Sequence, residues 1–137
     1  NVEQEKAVAL NINFSIQIAD EMIEFSENSD IVSIIGNMCD NAIEYLIKID
    51  KINRKMWLKI YIHSNHYIVD CVNKVEKSIL NENPNLLTSK TNENHGKGID
   101  ILKSVAKKYD GEVNFFEKDG YFHSMIILKK QNLPKNK

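Results

Sequence analysis

The strongest constraint on the fold is a run of apolar residues with helical spacing between about residues 30 and 48. At about 3.6 residues per turn these side chains fall on one broad face, which predicts an amphipathic helix packed against a core. Asn28, Ser29 and Asp30 offer N-cap chemistry where it begins. The apolar positions are Ile31, Ile34, Ile35, Met38, Ala42, Tyr45, Leu46 and Ile49.

Strand patterns lie on both sides of this helix. Apolar residues alternate with polar ones at 9–18, and β-rich segments follow at 56–63 and 66–73. Ser64-Asn65 separates the latter two as a hairpin turn.

A second helical pattern begins at Gly98 and ends near Gly111, where glycine favours a C′ position. Residues 112–117 and 121–129 predict a final hairpin, and residues 74–95 a long loop. The order β-α-β-β-loop-α-β-β predicts an α/β (α+β) two-layer sandwich, with one mixed, mostly antiparallel sheet and helices on one face.

Composition excludes several classes of protein. A net charge of -1 provides no basic surplus for a nucleic-acid partner, and no apolar run approaches the ~20 residues of a membrane helix. Cys39 and Cys71 are expected to be buried thiols. Because there is no initiator Met, we expect residues 1–130 to be one domain of a longer protein, followed by a flexible tail at 131–137.

The opposite side of the predicted long helix carries a polar stripe. Its members are Asp30, Ser33, Asn37, Asn41, Glu44 and Lys48. Asn37 and Asn41 are four residues apart and stack on one face, and Glu44 follows one turn later. Mg²⁺ prefers oxygen ligands, which amide and carboxylate groups supply. The alternative is an ordinary solvated helix face.

A second candidate segment is His95-Gly96-Lys97-Gly98. Glycines let a backbone approach a ligand closely, and the free N–H groups of a helix start attract phosphate. Lys97 adds positive charge, and His95 could contact a phosphate. An ordinary turn into a helix explains the same residues. Together with the polar stripe, however, this segment indicates an ATP site.

Asn73 ends the strand that precedes the loop, where a carboxamide can pair with an adenine edge. Thr88-Ser89-Lys90 lies near the end of the loop and could contact phosphates, although a solvated loop is equally compatible. His63, His66 and His123 lie in or beside strands at positions that indicate exposure. They have neither metal-ligand spacing nor a nucleophile partner pattern, which favours an ordinary surface role.

These motifs, in this order, resemble those of the catalytic ATP-binding domains of sensor histidine kinases, within the GHKL group and its Bergerat fold. Residues 34–44, with the sequence IIGNMCDNAIE, are similar to the N box of that family, and 95–99 to its second glycine box. Residues 88–90 resemble the segment before that box. The closest resemblance is to the Agr-type quorum-sensing kinases and the related VirS-like kinases, over roughly residues 8–130.

The resemblance implies roles for individual residues. Asn41 would be the Mg²⁺ ligand, with Asn37 one turn earlier. Asn73 stands where most members carry the Asp of an Asp-x-Gly-x-Gly box, and the Agr-like subgroup also has Asn there. Glu44 falls where many members have Lys or Arg. A nearby carboxylate, Asp40 or Glu44, would orient the acceptor imidazole.

The resemblance also implies partners. The γ-phosphoryl of ATP would pass to a His on a separate helical hairpin of the same kinase and then to a response regulator. The full-length protein would be a homodimer anchored in a bacterial membrane, with this domain in the cytoplasm. Two alternatives remain open: a serine kinase of the anti-sigma-factor type, and a non-catalytic domain for dimerisation or regulator docking.

Overall fold

Helices pack against one five-stranded sheet. The computed structural model describes residues 2–82, 84 and 93–130, excluding the side chains of 93–97. The helices are α1 (Val2–Ala9), α2 (Ile23–Ser26), α3 (Ser29–Leu46), α4 (Ile79–Glu82) and α5 (Glu93–Lys108), with 3₁₀ turns at Asp20–Met22 and Lys51–Asn53. The strands are β1 (Asn13–Ile18), β2 (Lys55–His63), β3 (His66–Lys74), β4 (Glu112–Lys118) and β5 (Tyr121–Lys129).

The sheet has the order β1-β2-β3-β5-β4. Strands β1 and β2 are parallel, since α3 provides the crossover between them, and the other neighbours are antiparallel. Both hairpins turn through two residues with positive φ: Ser64 and Asn65 (48° and 62°), and Asp119 and Gly120 (53° and 84°). Such turns match the twist of the strands they join. The predicted mixed, mostly antiparallel sheet with helices on one face is confirmed.

The core lies between the helices and one face of the sheet. Alternate residues of β2, β3 and β5 are buried there, among them Met56, Val69 and Ile126, against Ile34 and Leu102 of the helices. Burying a large apolar side chain contributes roughly 1.5–3 kcal/mol. This burial determines which side of α3 faces the sheet. No helix within the described residues is long and apolar enough to cross a membrane.

The two cysteines lie in this core as free, buried thiols, as expected. The Cys71 thiol donates to the Met38 carbonyl oxygen at 3.7 Å. Its contact with Cys39, together with burial, raises the pKa of Cys71 well above its ordinary value. Because it is buried with a raised pKa, the Cys71 thiol is a structural side chain rather than a reactive one.

The other face of the sheet carries a polar pair that was not expected. His123 was predicted to be exposed, but its side chain is only 20% exposed, and its Nδ1 lies 3.2 Å from Asp70 Oδ2. Its ring also stacks on Phe116 with centroids 4.4 Å apart. Burial raises the pKa of Asp70, and His123 opposes that shift. The prediction failed because the register of β3 and β5, rather than either strand alone, brings the two groups together.

The prediction of a strand at 9–18 was wrong for its first residues. Helix α1 continues to Ala9, and Asn11 adopts a left-handed φ of 59°. The Ile12 N–H donates to the Ala7 carbonyl at 2.8 Å, which closes the helix C-terminus. Leu10 and Ile12 extend the alternating pattern of β1, but they pack on the core from the connection between α1 and β1.

Arg54, the chain's single arginine, holds the ends of two helices together. Its guanidinium donates to the carbonyl oxygens of Leu10 at 2.8 Å, Ile47 at 3.0 Å and Ile49 at 3.1 Å. Carbonyls after a helix have no partner within the helix, so one planar cation stabilises both ends.

The second long helix ends at the predicted residues, but Asp110 rather than Gly111 occupies the C′ position. Asp110, not Gly111, has the left-handed φ of 54°. The Gly111 N–H donates to Ala106 at 2.7 Å and the Asp110 N–H to Lys107 at 3.2 Å, forming a Schellman motif. Gly111 is needed instead for space, since a Cβ there would lie 1.9 Å from the Ile127 carbonyl oxygen.

Gly111→Ala should therefore destabilise the fold by about 2 kcal/mol or more, because β5 must shift to make room. Gly36→Ala is the matched control. A Cβ at Gly36 meets nothing within 4 Å, and replacing a mid-helix glycine should stabilise the protein by about 0.5–1 kcal/mol. Urea unfolding of both variants measures the two effects. Equal effects of the two changes would contradict the close approach of α5 and β5.

Candidate functional site

Helix α3 presents the first half of the site. Asn28 caps it, since its side-chain oxygen accepts from the N–H groups of Asp30 at 2.9 Å and Ile31 at 3.4 Å. This confirms the predicted N-cap region. Its inward residues, including Ile34 and Met38, are fully buried. The polar stripe is consequently turned away from the sheet.

The structure brings the two predicted segments together. A Cβ built on Gly98 of α5 would lie 3.6 Å from Asn37 Oδ1 and 3.8 Å from both side-chain polar atoms of Asn41. The Asn37 amide nitrogen donates to the Ser33 carbonyl at 2.9 Å, so its Oδ1 is the atom turned towards α5. Gly98 is buried. Two amide groups and a glycine backbone therefore converge on one place.

The boundary of α5 differs from the prediction. The helix begins at Glu93 rather than at Gly98, so Gly96 and Gly98 lie inside it and not in a turn before it. Free N–H groups occur only in the first turn of a helix, which here lies N-terminal to Gly98. Gly98 therefore contributes by having no side chain, which leaves space beside Asn37 and Asn41.

A clamp at the other end fixes α5 antiparallel to α3. Lys108 Nζ lies 2.8 Å from Asp30 Oδ2, and the Tyr109 hydroxyl donates to the same oxygen. The hydrogen bonds from Lys108 and Tyr109 lower the pKa of Asp30. Burial and the adjacent Asp30 raise the pKa of Tyr109. Asp30, a member of the polar stripe, therefore has a structural partner.

Asp40 was a candidate for orienting an imidazole, and the structure places it beside α1. Its Oδ1 accepts from Lys6 Nζ at 3.0 Å, and Lys6 also reaches Glu3 Oε2 at 3.4 Å. Burial, and then the proximity of Asp40, raise the pKa of Glu3. The pairing with Lys6 could not be found from the sequence, because α1 itself was not predicted. The only signal was Glu3 and Lys6 at helical spacing.

The remaining candidates lie at several places. Glu44 is half-buried on α3, one turn after Asn41. Asn73 is buried near the end of β3, and its Nδ2 donates to the Lys74 carbonyl at 3.2 Å. It lies on the helix-facing side of the sheet, between Met56 and Phe122 of the neighbouring strands.

Several predicted site residues fall outside what the structure describes. Lys90, with Thr88 and Ser89, is outside the described residues, as is the tail at 131–137. His95, Gly96 and Lys97 are placed only as backbone of the first turns of α5. Their proposed contacts with phosphate stay predictions.

The donor set at the convergence of α3 and α5 fits a nucleotide with Mg²⁺. Asn37 and Asn41 provide neutral oxygens of the kind that this cation accepts along with water and phosphate ligands. Gly98 leaves open the space that a Cβ would enter. Among the described residues, no group of three His, Cys, Asp or Glu side chains could hold a metal ion.

Comparison with models of protein families identifies the family of this chain. A model described as a GHKL domain matches residues 27–129. The chain belongs to the GHKL family. GHKL domains bind ATP, and the matched range contains α3, α5 and all strands except β1. No curated protein matches the chain.

Solved structures share the fold of this GHKL domain. A nucleotide-free form of the catalytic domain of histidine kinase ThkA has a TM-score of 0.67 and 18% identity, covering 94% of this chain and 86% of that one. Another nucleotide-free form gives 0.68 and 17%, covering 94% and 87%. Acinetobacter baumannii histidine kinase AdeS gives 0.62 and 11%, covering 94% of this chain but 59% of its own. At these identities the likeness concerns the fold.

The Asp30 clamp predicts a pH dependence of the stability of this GHKL domain. Because the folded-state pKa of Asp30 is lowered, its stabilisation is complete above the unfolded pKa and is lost as pH falls through the folded pKa. Asp30→Asn should lower the free energy of unfolding by about 1 kcal/mol at neutral pH and leave it nearly unchanged near about pH 2. Urea unfolding at the two pH values measures this.

Asp100→Asn is the control for that experiment, since Asp100 is an exposed carboxylate on α5, the helix that carries Lys108. It should change stability by less than about 0.5 kcal/mol. A cost of Asp30→Asn that is the same at both pH values would show that the clamp is not an ionic interaction.

Proposed function

We propose that this GHKL domain is the ATP-binding catalytic domain of a two-component sensor histidine kinase. It would transfer the γ-phosphoryl of ATP to a His on a helical hairpin outside residues 1–137. The observation that carries the proposal is the close approach of the α5 backbone at Gly98 to the amides of Asn37 and Asn41, in a family that binds ATP and on a fold shared with histidine kinase catalytic domains.

Phosphoryl transfer depends mainly on positioning and charge neutralisation. Mg²⁺, held by Asn41 with help from Asn37, would neutralise phosphate charge. The first turns of α5 would hold the phosphates, with His95, Lys97 and Lys90 near them. The acceptor imidazole is itself the nucleophile. A carboxylate, Asp40 or Glu44, would orient it; Asp40 is ion-paired with Lys6.

Asn73 would recognise adenine, since a carboxamide supplies one donor and one acceptor to the base edge. The amide in place of the Asp that most members carry supports assignment to the Agr-type and VirS-like kinases, and thus to quorum sensing. A neutral amide makes weaker hydrogen bonds than a carboxylate. We therefore expect modest nucleotide affinity.

The proposal includes partners and a location. The phosphoacceptor hairpin and a dimer partner would belong to the same kinase, and a response regulator would receive the phosphoryl group. The kinase would be membrane-anchored through segments upstream, with this domain in the cytoplasm.

Asn41→Ala tests the site. Calorimetry should detect binding of a non-hydrolysable ATP analogue in the presence of Mg²⁺. Loss of one contact to a charged group, about 1.5–3 kcal/mol, should weaken that binding at least about tenfold. EDTA should weaken binding to the wild-type protein more than to the variant, because the variant has already lost the metal contact.

Asn114→Ala is the matched control, since Asn114 is an amide on β4 paired with Met125, on the face of the sheet away from α3. It should bind the analogue like the wild type. No heat for the wild type at millimolar nucleotide would favour the non-catalytic docking domain.

The chemistry of the product separates the kinase classes. The isolated domain should bind ATP without labelling itself. The longer kinase from which we propose it derives should incorporate label from γ-labelled ATP as acid-labile phosphate, because a phosphoramidate hydrolyses in acid. Acid-stable label on a protein substrate would instead identify a serine kinase of the anti-sigma-factor type.

A further inference from the structure

Glu117 of β4 holds the backbone that follows Asn73. Its Oε2 accepts from the N–H groups of Ile79 at 2.6 Å and Leu80 at 3.4 Å, and its Oε1 accepts from the Ser78 hydroxyl. Ser78 Oγ accepts in turn from the Asn81 N–H at 3.0 Å. The free N–H groups at the start of α4 are thus satisfied by a charged acceptor from a distant strand.

Glu117 and Asn73 lie in one row across the helix-facing side of the sheet. The register pairs Asn73 with Phe122, and Phe122 with Glu117. Neighbouring strands lie about 4.8 Å apart, so the two residues are separated by roughly 10 Å. Phe122, between them, is buried. The segment 74–80 therefore leads from beside Asn73 to Glu117.

The same segment is also tied to α3. The Glu76 N–H donates to the Tyr45 hydroxyl at 3.1 Å, and the Glu76 carboxylate accepts from Asn53 Nδ2 at 2.9 Å. Tyr45 lies one turn after Asn41 on α3. The backbone beside Asn73 is consequently held from two sides, by α3 and by β4.

We propose that Glu117 is a positioning residue for the nucleoside end of the bound nucleotide. It does not touch the ligand; it keeps segment 75–80 in place as the wall beside Asn73. Because this segment is already ordered before the base binds, binding does not have to bear the entropic cost of ordering it. Affinity for the correct base is therefore higher. This inference rests on the proposed function and concerns base recognition, because the contacts proposed for the triphosphate lie on α3 and α5.

The test is the ratio of affinities for non-hydrolysable ATP and GTP analogues with Mg²⁺, measured by calorimetry. The wild type should prefer the adenine nucleotide. Glu117→Gln should reduce the ratio about tenfold, chiefly by weakening the ATP analogue. Glu112→Gln is the matched control, because Glu112 lies on the same strand but on the opposite face of the sheet, and should leave the ratio unchanged.

Ser78→Ala is a second variant, which tests the proposal even if Glu117→Gln folds poorly. It removes one hydrogen bond to Glu117 and should also lower the ratio of ATP-analogue to GTP-analogue affinity, by about threefold. In the Glu117→Gln background it should add little, since the two groups act as one unit. Thermal unfolding without nucleotide confirms that each variant is folded.

Equal weakening of both nucleotides, or an unchanged ratio, would overturn the positioning role, because a general loss of structure does not discriminate between bases. A wild-type protein that binds both nucleotides equally would overturn it as well. A wild-type protein that binds neither would overturn the proposed function itself, and this inference with it.

Discussion

The arrangement of the site depends on the burial of the apolar face of α3 against the sheet. Ile34 and Met38 are fully buried there, and a rotation of about 100° that turned the preceding residues to the sheet would replace them with Ser33 and Asn37. Burying an unsatisfied amide costs about 1–3 kcal/mol. The hydrophobic core therefore determines that Asn37 and Asn41 face α5 and not the sheet.

The antiparallel pairing of α3 and α5 places Asn37 and Asn41 of that stripe beside the backbone of α5, which forms the candidate site. Asp30 is held by Lys108 and Tyr109 at one end of the pair, and Gly98 lies against the amides nearer the other end. An exposed ion pair alone would contribute little to stability. Here the Tyr109 hydroxyl also bonds to the Asp30 carboxylate, and the two helices pack on a common core. The same carboxamide chemistry on a helix without this neighbour would be an ordinary polar surface.

The sequence predicted those elements whose pattern is local. The two hairpins, the long helix α3 and its cap at Asn28 follow from alternation, helical spacing and residue types that tolerate positive φ. The convergence of Asn37 and Asn41 with Gly98 was also expected, although only as a consequence of motif order and resemblance. By contrast, α1 was missed, because Leu10 and Ile12 continue the alternation of β1 even though they belong to the connection before it. The true start of α5 was missed for a similar reason, since glycines near a helix start resemble a turn.

Patterns along the chain thus determined the type and order of most elements, the buried face of α3 and the residues able to provide amide oxygens. They did so because side-chain periodicity reports directly which face of an element avoids water. Only the tertiary structure decided which groups meet across elements: Asp40 with Lys6, Asp70 with His123, Glu117 with the backbone after Asn73, and Gly111 with β5. Strand register and helix packing bring these residues together from distant parts of the chain, and no local pattern of residues encodes such distances.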